Sequence, residues 1–267
     1  MSTKRRTVDL KPLPGEMIKP AELVDVSGAG GLSLYASKVY NALLHNAFGP
    51  DMAKQGEDFT IRLAELRGLH ESNDRIGPTL ESLQKTVVRA RLSDGRTRQV
   101  QLLGGVDFHD DDRPDGLLNY SFDKKLIALL RQSSIFAKLE LKVIYQFTSK
   151  YALALYEAVC RRVNLHECVQ EFTLEEFREL LRVPDGKLER FPDLNRYAIQ
   201  PALLEVNGLA DFQVSLMPRK KGKRVIGIIL AWGRKDAAGR KEAFAEANRP
   251  RVGRKARLRG QVDGLAS

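Results

Sequence analysis

From Pro218 to Arg224 the chain reads Pro-Arg-Lys-Lys-Gly-Lys-Arg, five cations in seven residues. Such a cluster repels itself unless an anion lies alongside. Strand-like apolar runs flank it, Phe212 to Met217 and Val225 to Trp232, so it reads as the tip of a hairpin. Two residues are enough to turn a hairpin. A longer basic tip suits a phosphate backbone or a minor groove, and a charged tip can also protect a hairpin from edge pairing. Arg219, Lys220, Lys221, Lys223 and Arg224 are therefore candidates for DNA contact. Upstream, a helical stretch from Asp193 to about Val206 sets Arg196 and Gln200 one turn apart, with Asp193 and Asn195 close by. Pro201 interrupts this helix and is expected to kink it.

A second candidate surface lies in the first half. Pro78 suits the first turn of a helix running to about Arg91, because its missing N–H would be unpaired there. Leu80, Leu83 and Val87 form the core-facing stripe, while Ser82, Lys85, Thr86 and Arg89 lie opposite without an acid among them. That face reads either as a groove-entering surface or as an ordinary solvated one. Arg75 stands just before this helix. Asp94-Gly95 then signals a hairpin, flanked by Arg91, Arg96 and Arg98.

Other chemistry finds little support. A G-x-x-x-x-G-K-[ST] phosphate loop is absent from the sequence, so use of ATP is not expected. His45, His70, His109 and His166 are far apart, and none makes the His-x-His pair that a metal-dependent nicking tyrosine needs. Asp110-Asp111-Asp112, ahead of Pro114 and Gly116, reads as a loop rather than a metal site. Cys160 and Cys168 have no metal-ligand spacing and read as reduced thiols of a cytoplasmic protein. We expect no enzyme activity, no metal and no cofactor. No apolar run approaches the ~20 residues of a membrane span, and the basic Met1–Arg6 start lacks the apolar stretch of a secretory signal.

The elements that carry these residues come twice. Phe59-Thr60-Ile61 and Phe172-Thr173-Leu174 each open a short helical pattern, and a Pro-x-Leu follows each, Pro78-Thr79-Leu80 and Pro192-Asp193-Leu194. Upstream, Val39-Tyr40-Asn41-Ala42-Leu43 is echoed by Leu155-Tyr156-Glu157-Ala158-Val159. Helix, short helix, second helix and hairpin is the order of a winged helix-turn-helix. Ser33, Ser149 and the Thr173/Glu176 capping box mark helix starts, and Asp123 to about Ser133 reads as a connecting helix. The expected fold class is α+β, two tandem winged helix-turn-helix domains with flexible basic N- and C-terminal segments. Residues 1–31, rich in Pro and Gly, form an irregular arm. Residues 32–133 form a first winged-helix domain for DNA contact or dimerisation. Residues 134–234 form a second one for the main DNA recognition, and 235–267 a basic tail. The formal net charge of +10 is concentrated at the ends, with ten Lys/Arg against four acids over 234–267. Flexible arms of that kind would neutralise phosphate without reading sequence.

The order Thr148-Ser149-Lys150-Tyr151, Leu155-Tyr156-Glu157, Phe172-Thr173-Leu174-Glu175-Glu176-Phe177-Arg178 and Phe191-Pro192-Asp193-Leu194-Asn195-Arg196 carries a family resemblance. Ile199-Gln200-Pro201-Ala202-Leu203, Glu205-Val206-Asn207 and the basic hairpin Arg219 to Arg224 continue it. Residues 134–234 resemble the C-terminal winged-helix domain of plasmid replication initiator proteins of the iteron-binding Rep class. The first half is similar in architecture and looser in sequence. The resemblance implies a bacterial, plasmid-encoded, cytoplasmic protein that binds directly repeated sites on double-stranded DNA at an origin. It implies a monomer–homodimer equilibrium in which monomers act at the origin and dimers repress the protein's own promoter. It also implies a host replication initiator and helicase as partners. The family's main base-reading helix matches Asp193 to Val206, where this sequence has only Arg196 in place of two or three adjacent cations. Lys187 and Arg190 would then take part of the phosphate work. On this reading Arg196 favours a guanine edge, and Asn195 or Gln200 an adenine edge. The Ser82/Lys85/Thr86/Arg89 face would enter a second groove about one turn away on the same side of the duplex. The alternatives are a winged-helix transcriptional repressor without initiator activity, or a protein that coats DNA through its tails.

Overall fold

The computed structural model describes residues 6–54, 56–67, 76–92, 95–108 and 116–261. Arg75, Asp94, His70, His109 and the Asp110–Asp112 run lie outside the described residues. The chain divides into two compact units, Met1–Leu141 and Lys142–Ser267.

In the first unit, Ser33 caps helix Leu34–Ala47 through a bond from the Ala36 N–H, as its sequence position suggests. Strand Phe59–Arg62 leads into the short helix Leu63–Arg67, and helix Ile76–Lys85 follows. The strand pairs antiparallel with Leu117–Tyr120, Phe59 opposite Tyr120. Tyr120 is buried and donates to the Leu43 carbonyl at 2.7 Å, locking the sheet to the first helix.

The second unit repeats this frame. Ser149 caps helix Lys150–Cys160, and strand Val169–Thr173 leads into helix Leu174–Leu180 through a complete Thr173/Glu176 capping box. The strand pairs antiparallel with the last hairpin strand, Phe172 opposite Ile228. In both units the strand ahead of the short helix is thus clamped by a later antiparallel strand, which in the second unit is the last strand of the wing.

Four boundaries differ from the sequence-based expectation. Residues 1–31 are not an irregular arm over their described part: Glu16–Pro20 is a strand paired with Phe136–Glu140, and Met17 and Ile18 are buried. The Thr7 N–H donates to the Ser133 carbonyl at 2.8 Å, so the segment is tied down well before that strand. The apolar pair Met17-Ile18 is too short to stand out among the prolines.

That pairing also moves the domain boundary. Phe136–Glu140 belongs to the first unit, so the second begins near Lys142 and not at residue 134.

The helix predicted to run to Arg91 stops at Lys85, and Val87–Arg91 is a strand paired with Thr97–Gln101. At Thr86 the backbone N–H turns to the Leu83 carbonyl at 3.3 Å while the hydroxyl donates to the Ser82 carbonyl at 2.7 Å, a tightened last turn. The β-branched pair Val87-Val88 then favours the extended backbone.

The basic tail is also folded. Ala237–Asn248 and Arg254–Leu258 are helices packed on the second unit, and Arg254 is only 3% exposed. Its guanidinium donates to Glu246 Oε1 at 3.1 Å, to the Gln146 carbonyl at 3.0 Å and to Gln146 Oε1 at 2.8 Å. Arg257 donates to the two oxygens of Glu246 at 3.1 and 2.7 Å. Burial alone would raise the Glu246 carboxyl, but hydrogen bonds and charge from Arg257 and Arg254 outweigh it and hold it below the usual carboxylate range. Cations that read as a solvated arm therefore hold the tail in place.

Candidate nucleic-acid interface

Residues 191–209 form one continuous helix with a defect in it. It opens as an α-helix over Phe191–Leu194 with Pro192 in the first turn, widens to a π-helical turn over Asn195–Ile199, and returns to α over Gln200–Leu209. The cause is Pro201, which has no N–H to give the fourth carbonyl back and whose ring crowds it. The N–H of Gln200 reaches instead to the Asn195 carbonyl, five residues back. The expected kink is thus a wide turn. In an α-helix, positions five apart point about 140° away from each other. Here the side-chain amide of Gln200 donates to Asn195 Oδ1 at 3.2 Å.

Leu194, Ala198, Ile199, Ala202, Val206 and Leu209 form the buried face. Arg196, Tyr197 and Gln200 are exposed on the opposite side, Asn195 and Asp193 half-buried beside them. Tyr197 is 55% exposed, and the Arg196 guanidinium lies 5.4 Å from its ring centroid. The structure thus adds Tyr197 to the predicted set. Its place next to Arg196 was the only signal, since an aromatic at helical spacing reads equally well as core.

The helix is mounted from several directions. Glu205 is 3% exposed and accepts from the N–H groups of Thr148 and Ser149 at 2.8 and 3.3 Å, and from the Thr148 hydroxyl. A carboxylate of this helix thereby caps helix Lys150–Cys160. Asn207 bonds both backbone groups of Val214, at 2.7 and 2.9 Å, and ties the helix to the wing. Ahead of the helix, Arg178 donates to the carbonyls of Lys187 and Leu188. Arg182 closes an ion pair with the fully buried Glu157 at 2.5 Å. Lys187 and Arg190 are exposed on this braced turn, and the Arg190 carbonyl accepts the first helical N–H groups, from Asp193 and Leu194.

The wing differs from the long loop expected. Strands Phe212–Lys221 and Arg224–Arg234 run through the basic stretch, and only Gly222 and Lys223 make the turn. Gly222 has φ +62°, the left-handed region that a glycine enters without strain. Lys221 pairs directly with Arg224 and Lys220 with Val225, so the cations are arrayed on a two-stranded arm. Like charges directly opposite destabilise a ladder, which favours an anion against this end. Arg219 already has a partner, Glu171 at 3.5 Å, whereas Lys220, Lys221, Lys223 and Arg224 are exposed. Gly227 lets the arm lie close on the preceding strand: a Cβ there would sit 2.5 Å from the Phe172 carbonyl oxygen.

The first unit does not assemble the helix face predicted for it. Ser82 and Thr86 are bonded to each other through backbone and hydroxyl, Lys85 pairs with Glu81, and Arg89 stands on the following strand. The hairpin that follows does carry exposed Arg89 and Arg96 and half-buried Arg98, whose guanidinium reaches the Lys125 carbonyl at 3.5 Å. Of the predicted basic residues described in this unit, Arg89, Arg96 and Arg98 therefore belong to its wing and Lys85 to the helix.

Among the described residues no group of three or more His, Cys, Asp or Glu side chains comes together as a metal would need. Cys160 is buried and Cys168 exposed, and neither is in a disulfide. No helix among the described residues is long and apolar enough to cross a membrane.

Two family models match the chain. One, described as initiator replication protein, WH1, covers residues 16–160, and the other, initiator Rep protein, WH2, covers residues 173–232. The fold is similar to the crystal structure of the Pi initiator protein in complex with iteron DNA. The TM-score is 0.59 and the identity 16%, covering 83% of this chain and 98% of that one. No curated protein matches the sequence.

Proposed function

The chain belongs to the initiator Rep protein family, and from that premise we propose that it is a plasmid replication initiator that binds repeated sites (iterons) on double-stranded origin DNA. The observation that carries this reading is the helix 191–209. Its buried face is fixed by Glu205 and Asn207, while Asn195, Arg196, Tyr197 and Gln200 are presented outward beside a cationic arm. Pi, a protein of similar fold, is seen on iteron DNA, which supports the same class of site for this chain.

In this reading the helix enters the major groove. The fork of Arg196 takes a guanine edge, and the amide of Asn195 or Gln200 an adenine edge. Lys220, Lys221, Lys223 and Arg224, with Lys187 and Arg190, neutralise phosphate and set the register. The first unit adds contacts through Arg89, Arg96 and Arg98. The protein works by binding and deforming DNA, with no catalysis of its own. Copies loaded side by side strain an adjacent AT-rich tract, where host initiator and helicase are recruited. A homodimer occupies the protein's own promoter and represses it.

Footprinting on the DNA around its own gene tests this. Protection of several direct repeats next to an AT-rich tract is the expected result. A single inverted repeat over a promoter would indicate a repressor only, and no discrete footprint would indicate a coating protein. A plasmid that replicates unaided without this reading frame would overturn the initiator role.

A further inference from the structure

The folded C-terminal segment borders the exposed face of helix 191–209. A groove runs between them, with Arg196 and Gln200 on one wall and Arg249, Arg257 and Arg259 on the other; Lys235, Glu242 and Glu246 complete its charged lining. Glu246 is engaged by Arg254 and Arg257, with Arg249 3.8 Å away, and cations outnumber the two carboxylates of the lining, which is therefore net positive. Arg249 and Arg259 are exposed. We propose that this groove seats a phosphate ridge of duplex DNA, making the C-terminal segment a second backbone clamp opposite the hairpin.

The inference rests on the reading of helix 191–209 as the groove-entering element. A helix in a major groove about 12 Å wide has a phosphate strand along each flank. The hairpin supplies cations for one flank. In the proposed arrangement the groove, whose lining also takes in Gln213 at the base of the hairpin, supplies them for the other, on a mount already held by contacts within the protein. Leu258 packs over Gly208 so closely that a Cβ there would lie 2.4 Å from its Cδ2. Arg254 pins the same helix to residue 146. A pre-ordered arginine loses less conformational freedom on binding than one on a flexible arm.

Phosphate ethylation interference with the wild-type chain, on a repeat identified by footprinting, is the first test. Interference is expected on both strands flanking the major groove that the helix reads. In the double variant Arg249→Ala/Arg259→Ala the interference on one flank should disappear. The slope of log affinity against log salt should become shallower by about 0.9 for each phosphate no longer neutralised. Base preference within the repeat should be retained. Interference confined to the hairpin flank in the wild type overturns the proposal, as does a double variant with unchanged pattern and slope. Absence of any repeat-specific binding by the wild type would overturn the proposed function itself, and this inference with it.

Discussion

Gln200 donates its side-chain amide to Asn195 Oδ1 at 3.2 Å, across a helical turn that exists because residue 201 is proline. The bond fixes which way each amide points. Each keeps free hydrogen-bonding capacity for a base edge, Asn195 through its NH2 and Gln200 through its carbonyl oxygen. Truncating either residue to alanine is expected to cost about 1–3 kcal/mol on the cognate repeat and to relax preference at one base position. Competition binding against single-base variants of the repeat measures it. Equal losses on cognate and scrambled DNA would contradict a base-reading role.

Pro201→Ala restores an N–H to the backbone and allows the turn to close to α geometry. Asn195 and Gln200 then separate around the helix. The variant is expected to melt no lower than the parent, while discriminating less between cognate and scrambled repeats. A thermal melt together with paired affinities decides it.

Neutralising Lys220, Lys221, Lys223 and Arg224 one at a time should act differently. Each substitution to alanine is expected to weaken all duplexes alike and to reduce the salt slope by about 1 where the cation had neutralised a phosphate. Relief of the like-charged Lys221–Arg224 pairing should leave the free protein as stable or more so.

Arg182→Ala removes an ion-pair partner from the fully buried Glu157 carboxylate. Breaking a buried pair from one side costs about 3–5 kcal/mol. The loss should appear in urea unfolding of the second unit, and Glu157→Gln combined with Arg182→Ala should recover part of it.

Glu246 titrates lower in the folded protein than in the unfolded chain, because the hydrogen bonds and charges of Arg257 and Arg254 overcome its burial. Its contribution is therefore present above the unfolded value, about 4.3, and is lost as pH falls through the folded one. Amide protection factors over residues 237–258, taken relative to the intrinsic exchange rate at each pH, should fall in acid below that point. Glu246→Gln should remove this pH dependence of protection while lowering protection at neutral pH.

Local signals made much of this architecture legible. Ser33, Asp123, Ser149 and Thr173 each cap the helix that their position announces, because a cap is made within three residues of its own chain. The repeated Phe-Thr openings of the two short helices were readable for the same reason. What escaped depends on partners far away in sequence. Met17 and Ile18 belong to a strand only because residues 136–140 lie beside them. Arg254 is buried because Gln146 and Glu246 receive it, and charge counting cannot distinguish such an arginine from a solvated one. In the candidate site, Arg196, Gln200 and the wing cations were named from residue type. Tyr197 was not, and neither was the pairing of Asn195 with Gln200, which needs the π turn. The basic helix face of the first unit failed at Thr86, beyond which Val87–Arg91 pairs as a strand with Thr97–Gln101 where the periodicity had extended the helix.

Glu205 and Asn207 fasten the inner side of helix 191–209 to helix 150–160 and to the wing, and neither bond involves the outer side. Under the proposed function, scaffold and address are consequently separable. Descendants of one such protein can drift at positions 195, 196, 197 and 200 without loosening the mount. Two siblings sharing a cell could thus come to ignore each other's repeats while remaining the same machine.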